Sequence, residues 1–461
     1  MTFERVTHYY HGGHRARTLS WLTLGAFAVG TEGFMIAGLL PVLARDLNAG
    51  LPAVGHLVAA FSLAYALGGP VMAVLTATLE RRRLLALAMA AFALANVLAA
   101  AAPSYAPLLA ARLLLAVSAA TFIPAATGYA AALGGPDRRG RNMSMVTNGL
   151  TFAIIAGAPL GLLVGESFSW RATFLGVAGL SSLSLFGILG WVPRQLAGVT
   201  ASPGERLAVA KRYDVLGVLS VTVLTVAGTF TVYTYLAVFL AGVAGQSPPG
   251  LALALLGFGL ASAVGARLGG SAADHWGARV TVILGGGLVL LAYIALSLGA
   301  ALGPSWAMPV LVPAILLWGS SSWGLITAQQ VRLVSLAPEL APISLSLNSS
   351  AIYFGSATGA GAGALVIADG AVARLGWVGD GVQPGRAAGG LGQPPQRPKP
   401  RFVKGQNPAA KSVQMPPPGF SRMFRNHHKK GGPQRARKDP SGCATAQQRA
   451  EKTAASRVLK R

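Results

Sequence analysis

Eleven apolar stretches follow one another along this chain, at residues 18–44, 53–79, 84–102, 107–133, 143–165, 172–193, 213–241, 250–273, 280–302, 307–335 and 343–368. A helix needs about 20 such residues to cross a hydrocarbon core of about 30 Å, and each stretch supplies them. No water is present there to satisfy a bare backbone, so each stretch reads as a spanning helix and the fold class as an all-α membrane protein. Charged residues make up only 11% of the chain; soluble domains carry about 25%, so a soluble enzyme core is excluded.

Within the fifth stretch, Gly149 to Gly165 reads GLTFAIIAGAPLGLLVG. Gly157, Gly161 and Gly165 share one helix face, where missing side chains let a neighbouring helix approach closely. Pro159 removes a backbone donor between two of them, so the span is expected to bend beside a cavity. An ordinary close-packed helix with an incidental proline gives the same local pattern. The same spacing returns 198 residues further on, as Gly355, Gly359 and Gly363 in SAIYFGSATGAGAGALVIA. The repetition marks a duplicated chain and makes Gly157, Pro159, Gly161 and Gly165 the candidate hinge and packing surface.

Orientation follows from basic residues, whose translocation is unfavourable. Arg5, Arg15, Arg17, Arg81 to Arg83, Arg138, Arg139, Arg141, Arg194, Arg206, Lys211, Arg212, Arg279 and Arg332 fall at alternate span ends; only Arg45, Arg171 and Arg374 flank the others. The amino terminus is therefore expected in the cytoplasm. The expected organisation is a cytoplasmic tail (1–17), a six-span half (18–193), a cytoplasmic linker (194–212), a second half with five clear spans (213–379) and a basic tail (380–461). The first span is too long for a cleaved signal, and no small-residue cleavage site follows it. His8, His11 and His14 lack a fixed scaffold and read as a solvated tail, not a metal site. Neither a phosphate-cradling G-x-x-x-x-G-K-[ST] loop nor a dinucleotide G-x-G-x-x-G turn occurs, so no nucleotide cofactor and no built-in ATPase are expected.

Adding the repeat offset to 172–193 places a twelfth span near 370–391. The chain begins it with GAVARLGWVG and then turns, at Asp380, to DGVQPGRAAGGLGQPPQRPKP, which holds no apolar run able to cross a bilayer. Residues 380–461 carry 18 of the 38 Lys and Arg and only 3 of the 14 acids, so most of the formal charge of +24 belongs there and is no sign of a nucleic-acid-binding body. Such a composition is that of a disordered tail. After eleven spans it would emerge opposite the amino terminus, against the bias of the other loops. A reading-frame shift close to Gly379 is the expected origin, with the twelfth helix missing and this form less stable for it.

Two charges lie deep inside spans. Glu32 sits about halfway along the first, and Arg112 six residues into the fourth. Intramembrane charges mark functional sites by default because each costs several kcal/mol unless it faces a cavity or a partner. A carboxyl there can trade its proton for a cation, since burial favours the neutral form and a cation the ionised one. Two readings of Glu32 stand: a cavity-facing proton or substrate site, or a structural carboxylate bonded to glycine-rich backbone or to Arg112. Arg112 can hold a carboxylate ionised or bind an anion, and equally serve a structural pair or snorkel outward. Tyr233 and Tyr235, with Phe230 and Phe239, make the seventh span the candidate aromatic wall of a cavity. Trp318, Trp323, Gln329, Asn348 and Tyr353 are further polar or aromatic residues inside spans. Asp46 and His56 read as unremarkable outer-surface residues.

With GTEGFMIAGLLP at Gly30 to Pro41, Arg112, GAPLG at Gly157 to Gly161, WRATF at Trp170 to Phe174 and GSAADHWGAR at Gly270 to Arg279, the chain over about 18–379 resembles a major facilitator superfamily transporter. The likeness is to bacterial twelve-span drug:proton antiporters of the arabinose-efflux and chloramphenicol-exporter type. The family's loop pattern G-x-x-x-D-x-x-G-x-[RK] is matched by Gly270, Asp274, Gly277 and Arg279; in the first half Ala73, Ala77 and Glu80 replace its glycines and acid, leaving Arg81 and Arg82. In the second half Asp274 would accept hydrogen bonds from exposed backbone donors and a nearby arginine at a helix end.

The resemblance implies two pseudo-repeated six-helix halves around a midplane cavity, working by alternating access. It links an arginine at the place of Arg112 to proton transfer. The implied function is export of a small, partly apolar, drug-like compound by proton antiport, from a bacterial inner membrane, by a monomer whose partners are its cargo, protons and lipid. Efflux of a sugar or metabolite is the alternative within transport; a non-transporting membrane protein or an inactive truncated carrier is the alternative outside it.

Overall fold

The computed structural model describes residues 12–133, 138–193, 211–302, 304–336, 341–370 and 372–377, all within the unit Met1–Leu391. Residues 1–11, most of the linker, and everything from 378, including the expected site of a twelfth span and the basic tail, lie outside the described residues.

The described residues form thirteen α-helices, eleven of whose stretches are long and apolar enough to cross a membrane. The first half comprises α1 (Gly12–Asp46), α2 (Leu51–Leu75), α3 (Arg81–Ala101), α4 (Tyr105–Ala132), α5 (Arg139–Phe152), α6 (Ala158–Ser167) and α7 (Trp170–Trp191). The second comprises α8 (Tyr213–Tyr233), α9 (Leu236–Ala244), α10 (Pro248–Trp276), α11 (Ala278–Ala301), α12 (Pro304–Leu336) and α13 (Ala341–Ala368). Their ends define a basic face, bearing Arg81 to Arg83, and an opposite face, bearing Asp46.

Two spans are broken, each for a local reason. Between α5 and α6, Ala153–Gly157 form one π-helical turn. Pro159 offers no N–H and its ring crowds the carbonyl four residues back, so the helix slackens by a residue just before it. Between α8 and α9 the chain breaks at Thr234 and Tyr235. The run before it is rich in threonine, and the hydroxyls of Thr229 and Thr231 donate to the carbonyls four residues back at 2.9 and 2.8 Å, a pattern that bends helices.

The glycine faces show how each half is packed. A Cβ on Gly157 would lie 2.9 Å from the Thr31 Cα, on Gly161 2.5 Å from the Met35 Cβ, and on Gly165 2.2 Å from Leu39 Cδ2. The π turn and α6 therefore lie against α1 at a distance that only glycine permits. In the second half α13 lies on α8 and the break after it: a Cβ on Gly355 would meet the Val223 carbonyl at 2.6 Å, on Gly359 the Ala227 carbonyl at 2.2 Å, and on Gly363 the Tyr235 ring at 2.6 Å. The duplication read from the spacing is a duplication of helix contacts.

Beyond α13, Val372–Arg374 form a short 3-10 turn. Leu375 is fully buried, and a Cβ on Gly376 would meet Ser297 Oγ at 2.4 Å, so the chain entering the twelfth-span region is docked on α11.

Candidate functional site

Glu32 and Arg112 meet. Glu32 projects from the middle of α1 and Arg112 from α4, both side chains fully buried, and an Arg112 Nη1 donates to Glu32 Oε1. The contact is single. Glu32 Oε2 and Arg112 Nη2 have no hydrogen-bond partner, nor has the adjacent Thr31 hydroxyl. Arg112 Nε reaches the Leu57 carbonyl at 3.4 Å, and the guanidinium lies over the Phe61 ring, 4.6 Å from its centroid. Desolvating two charges costs several kcal/mol each, and a one-contact pair with an idle oxygen and an idle nitrogen recovers less of that than a bidentate fork would. The pair can therefore exchange partners without dismantling a saturated network.

Around the pair runs the seam between the halves. Across it, Tyr65 of α2 and Tyr353 of α13 stack with ring centroids 3.5 Å apart and planes at 18°. The Ser62 and Ser356 hydroxyls share a buried hydrogen bond of 2.9 Å beside them. Phe34, two residues along α1 from Glu32, meets Tyr233 edge-on at 6.0 Å and Trp323 at 6.4 Å. Phe258 packs between Tyr233, Trp318 and Trp323 at 5.1, 4.6 and 5.7 Å. The second half thus offers an aromatic cluster where the first offers charge. Tyr293 joins the cluster through Trp318, its ring centroid 6.1 Å away.

The sequence marks Tyr233 and Tyr235 as a candidate cavity wall; in the structure both are buried, at 2% and 0% exposure. Tyr233 belongs to the aromatic cluster. Tyr235, at the α8–α9 break, donates to the Ala360 carbonyl at 3.3 Å, and its hydroxyl occupies the space a Cβ on Gly55 would need. It is packed into the seam, not lining an open space. A second crossing lies at Gly259 of α10, where a Cβ would fall 2.5 Å from the Ile154 carbonyl and 2.6 Å from the Ile155 Cα. The π turn forced by Pro159 therefore faces the other half through a glycine that sequence reasoning passed over. Pro159 itself is buried, and the bend lies beside a packed helix crossing.

The motif read as a loop is mostly helix. Gly270 and Asp274 lie in the last two turns of α10, Gly277 alone makes the turn with φ of +85°, and Arg279 already belongs to α11. Only glycine adopts that φ readily. Asp274 stands in the last turn of α10 and accepts no hydrogen bond among the described residues. It and Arg279 are exposed and form no ion pair among the described residues. In the first half Arg81 starts α3, Arg82 donates to the Leu189 carbonyl and so ties α3 to the end of α7, and Arg83 pairs with Glu80 at 3.2 Å. A cavity of about 460 Å³ lies there, lined by Glu80, Arg82, Arg83, Ala86, Leu87 and Leu189, away from the buried pair.

At the opposite face Asp46 is engaged, contrary to its reading as unremarkable. Its Oδ2 accepts from Trp170 Nε1 and from Arg171, both at 2.6 Å, while Arg171 lies over the Trp170 ring at 4.2 Å and also reaches the Ala102 carbonyl at 3.3 Å. This cluster joins the end of α1, the α3–α4 turn and the start of α7. It gives the WRATF stretch a structural role.

Comparison with known proteins fits this architecture. The chain is 33% identical to a chloramphenicol resistance protein of Streptomyces lividans over 343 residues, covering 73% of this chain and 86% of the relative. It is 28% identical to a probable sugar efflux transporter of Helicobacter pylori over 360 residues, covering 77% and 90%. Among solved structures, a bacterial homolog of the human lysosomal transporter Spinster, inward-facing and unoccupied, superposes with a TM-score of 0.64 at 17% identity, over 78% of this chain and 84% of that one. The family model described as Major Facilitator Superfamily matches residues 22–360, which takes in the buried pair, the first glycine face and Gly355 and Gly359 of the second. The chain belongs to the Major Facilitator Superfamily.

Proposed function

We propose that this transporter exports a small, partly apolar compound in exchange for protons, with Glu32 as the exchanging carboxyl and Arg112 as its counter-charge. Members of the superfamily are transporters, not enzymes, and the chain is a multi-pass membrane protein of that kind. The observation that carries the finer reading is the incomplete pair: two fully buried charges joined by one contact, each with an idle polar atom. A protonated Glu32 releases the guanidinium; an ionised one holds it. The glycine faces of α6 and α13 let α1, which carries Glu32, and α8 move as packed units against them, and Gly157, Pro159, Gly161 and Gly165 serve as hinge and packing surface. The aromatic cluster from Phe34 to Trp323, with few charges near it, supports neutral or amphiphilic cargo over a sugar. Residence in a bacterial inner membrane with a cytoplasmic amino terminus completes the reading, on the basic residues of one face.

The test is flux in proteoliposomes with an imposed pH gradient, using chloramphenicol and arabinose as probes. Glu32→Gln keeps the shape of the side chain and removes its titration. Gradient-driven flux of one probe in the parent and its loss in Glu32→Gln, with normal membrane insertion, supports the reading. Unchanged gradient-driven flux in the variant overturns the role of Glu32, and flux of arabinose alone overturns the cargo class.

A further inference from the structure

The buried pair and the seam share residues. Arg112 rests on Phe61, Phe61 lies 6.4 Å from Tyr353 and 6.5 Å from Tyr65, and those two tyrosines stack across the boundary between the halves. One turn from the stack, next to Phe61 on α2, the Ser62–Ser356 hydrogen bond crosses the same boundary. Phe61 is 3% and Tyr65 4% exposed, and Tyr353 is half-buried. Tyr353 also lies near enough to Glu32 to interact with its charge. The titratable groups facing Glu32 are therefore Arg112 from α4 and Tyr353 from α13, with Tyr65 of α2 stacked on the latter. The π turn and α6 turn glycine toward α1 and bring no charge.

We propose that Phe61 and Tyr353 are positioning residues that wire the Glu32–Arg112 pair to the closure of the two halves, so that one side-chain chain, Glu32–Arg112–Phe61–Tyr353–Tyr65, reads the state of the carboxyl at the seam. The inference rests on the reading of Glu32 as the exchanging group and adds how its state reaches the other half. With Glu32 ionised, the guanidinium is held over the face of Phe61, and that ring buttresses the Tyr65–Tyr353 stack. With Glu32 neutral, the guanidinium loses its anchor, the ring loses its cation, and the stack loses its support on one side. Phe61 has no polar atom, so its role is transmitted through the face of its ring.

The seam can be read directly. The full-length chain with Cys443→Ser, Ser62→Cys and Ser356→Cys places two thiols where two hydroxyls already touch, and a protease site in the 194–212 linker lets the cross-linked halves be told from free ones on a gel. At one fixed pH, oxidation should join the halves about thirty-fold more slowly when Glu32→Gln is added, the size of one buried cation–π contact. Phe61→Leu should slow cross-linking by itself and erase the difference between Glu32 and Gln; Phe61→Trp, which keeps an aromatic face, should restore that difference. Equal cross-linking rates with Glu32 and Gln, or a Glu32→Gln effect that survives Phe61→Leu, overturns the wiring. Gradient-driven flux separates this failure from that of the underlying reading: Glu32→Gln that abolishes flux yet leaves cross-linking untouched sinks only the wiring, whereas unchanged flux sinks the exchange role.

Discussion

The two halves of this transporter use one packing scheme and fill it with different chemistry. In the first half, the π turn and α6 lie on α1 through Gly157, Gly161 and Gly165; in the second, α13 lies on α8 through Gly355, Gly359 and Gly363. Beside the first glycine face sits a buried ion pair. Beside the second sit neutral groups: the Thr222 hydroxyl donates to Asn348 Oδ1 at 3.1 Å, Gln329 donates to the Val218 carbonyl at 3.3 Å, and the Thr231 hydroxyl donates to the Gly359 carbonyl at 3.1 Å. Backbone approach is thus the invariant of the duplication and side-chain chemistry the variable. A half that holds charge can change state with a proton, while a half that holds amides, hydroxyls and aromatic rings provides surface.

The contrast breaks first, if it breaks, at the charges. Arg112→Ala leaves a buried carboxylate without its partner and should destabilise the protein by about 3–5 kcal/mol, while Arg112→Met combined with Glu32→Gln recovers most of that. The matching change in the second half, Thr222→Val with Asn348→Leu, removes both ends of a neutral hydrogen bond and should cost about 1 kcal/mol. Thermal unfolding in detergent measures both. Equal losses would mean that the first half is not the strained one.

A smaller effect sharpens the shared scheme. Gly359→Ala drives a methyl into a backbone carbonyl, Gly161→Ala into the Cβ of Met35, and Gly165→Ala into the far end of Leu39. The losses should fall in that order within about 1–3 kcal/mol, because a leucine end can rotate away and a carbonyl cannot. Gly157→Leu, Gly161→Leu and Gly359→Leu should each lower flux more than they lower the amount of protein inserted. Flux and insertion falling together would make these faces mere packing.

The smallest effect lies at the opposite face. Asp46→Asn loosens the contacts to Trp170 and Arg171, but both charged side chains are partly exposed, 47% and 39%. Water screens such a pair, so the loss should stay below about 1 kcal/mol in unfolding measurements. A loss as large as that of Arg112→Ala would move the centre of the first half away from the buried pair.

Much of this was legible in the sequence where chemistry is written at fixed spacing. The glycines at intervals of four and the apolar stretches announce helix faces and spans directly, and Glu32 and Arg112 stand out because charge is rare in such stretches. That they meet was not legible: they lie 80 residues apart, on helices that the bundle alone brings together. Phe61 and Phe34 carried no signal, since a phenylalanine in an apolar helix looks the same at a seam, at a cavity or in lipid. Tyr235 misled for the same reason, its aromatic character saying nothing about whether open space or Gly55 and Gly363 would face it. Gly259 sits alone, without the spacing that marks a face, and Asp46 draws its partners from span ends 124 and 125 residues away.

The central claim is that Glu32 changes protonation state within the folded protein instead of staying locked to Arg112. Infrared difference spectra of the purified full-length chain, taken between about pH 5 and about pH 9, where buried carboxyls titrate, read that change as the C=O stretch of a protonated carboxyl. A band that titrates in the parent and is missing from Glu32→Gln is the result expected. Identical difference spectra from the two proteins would show the pair to be a fixed structural contact and would contradict the account.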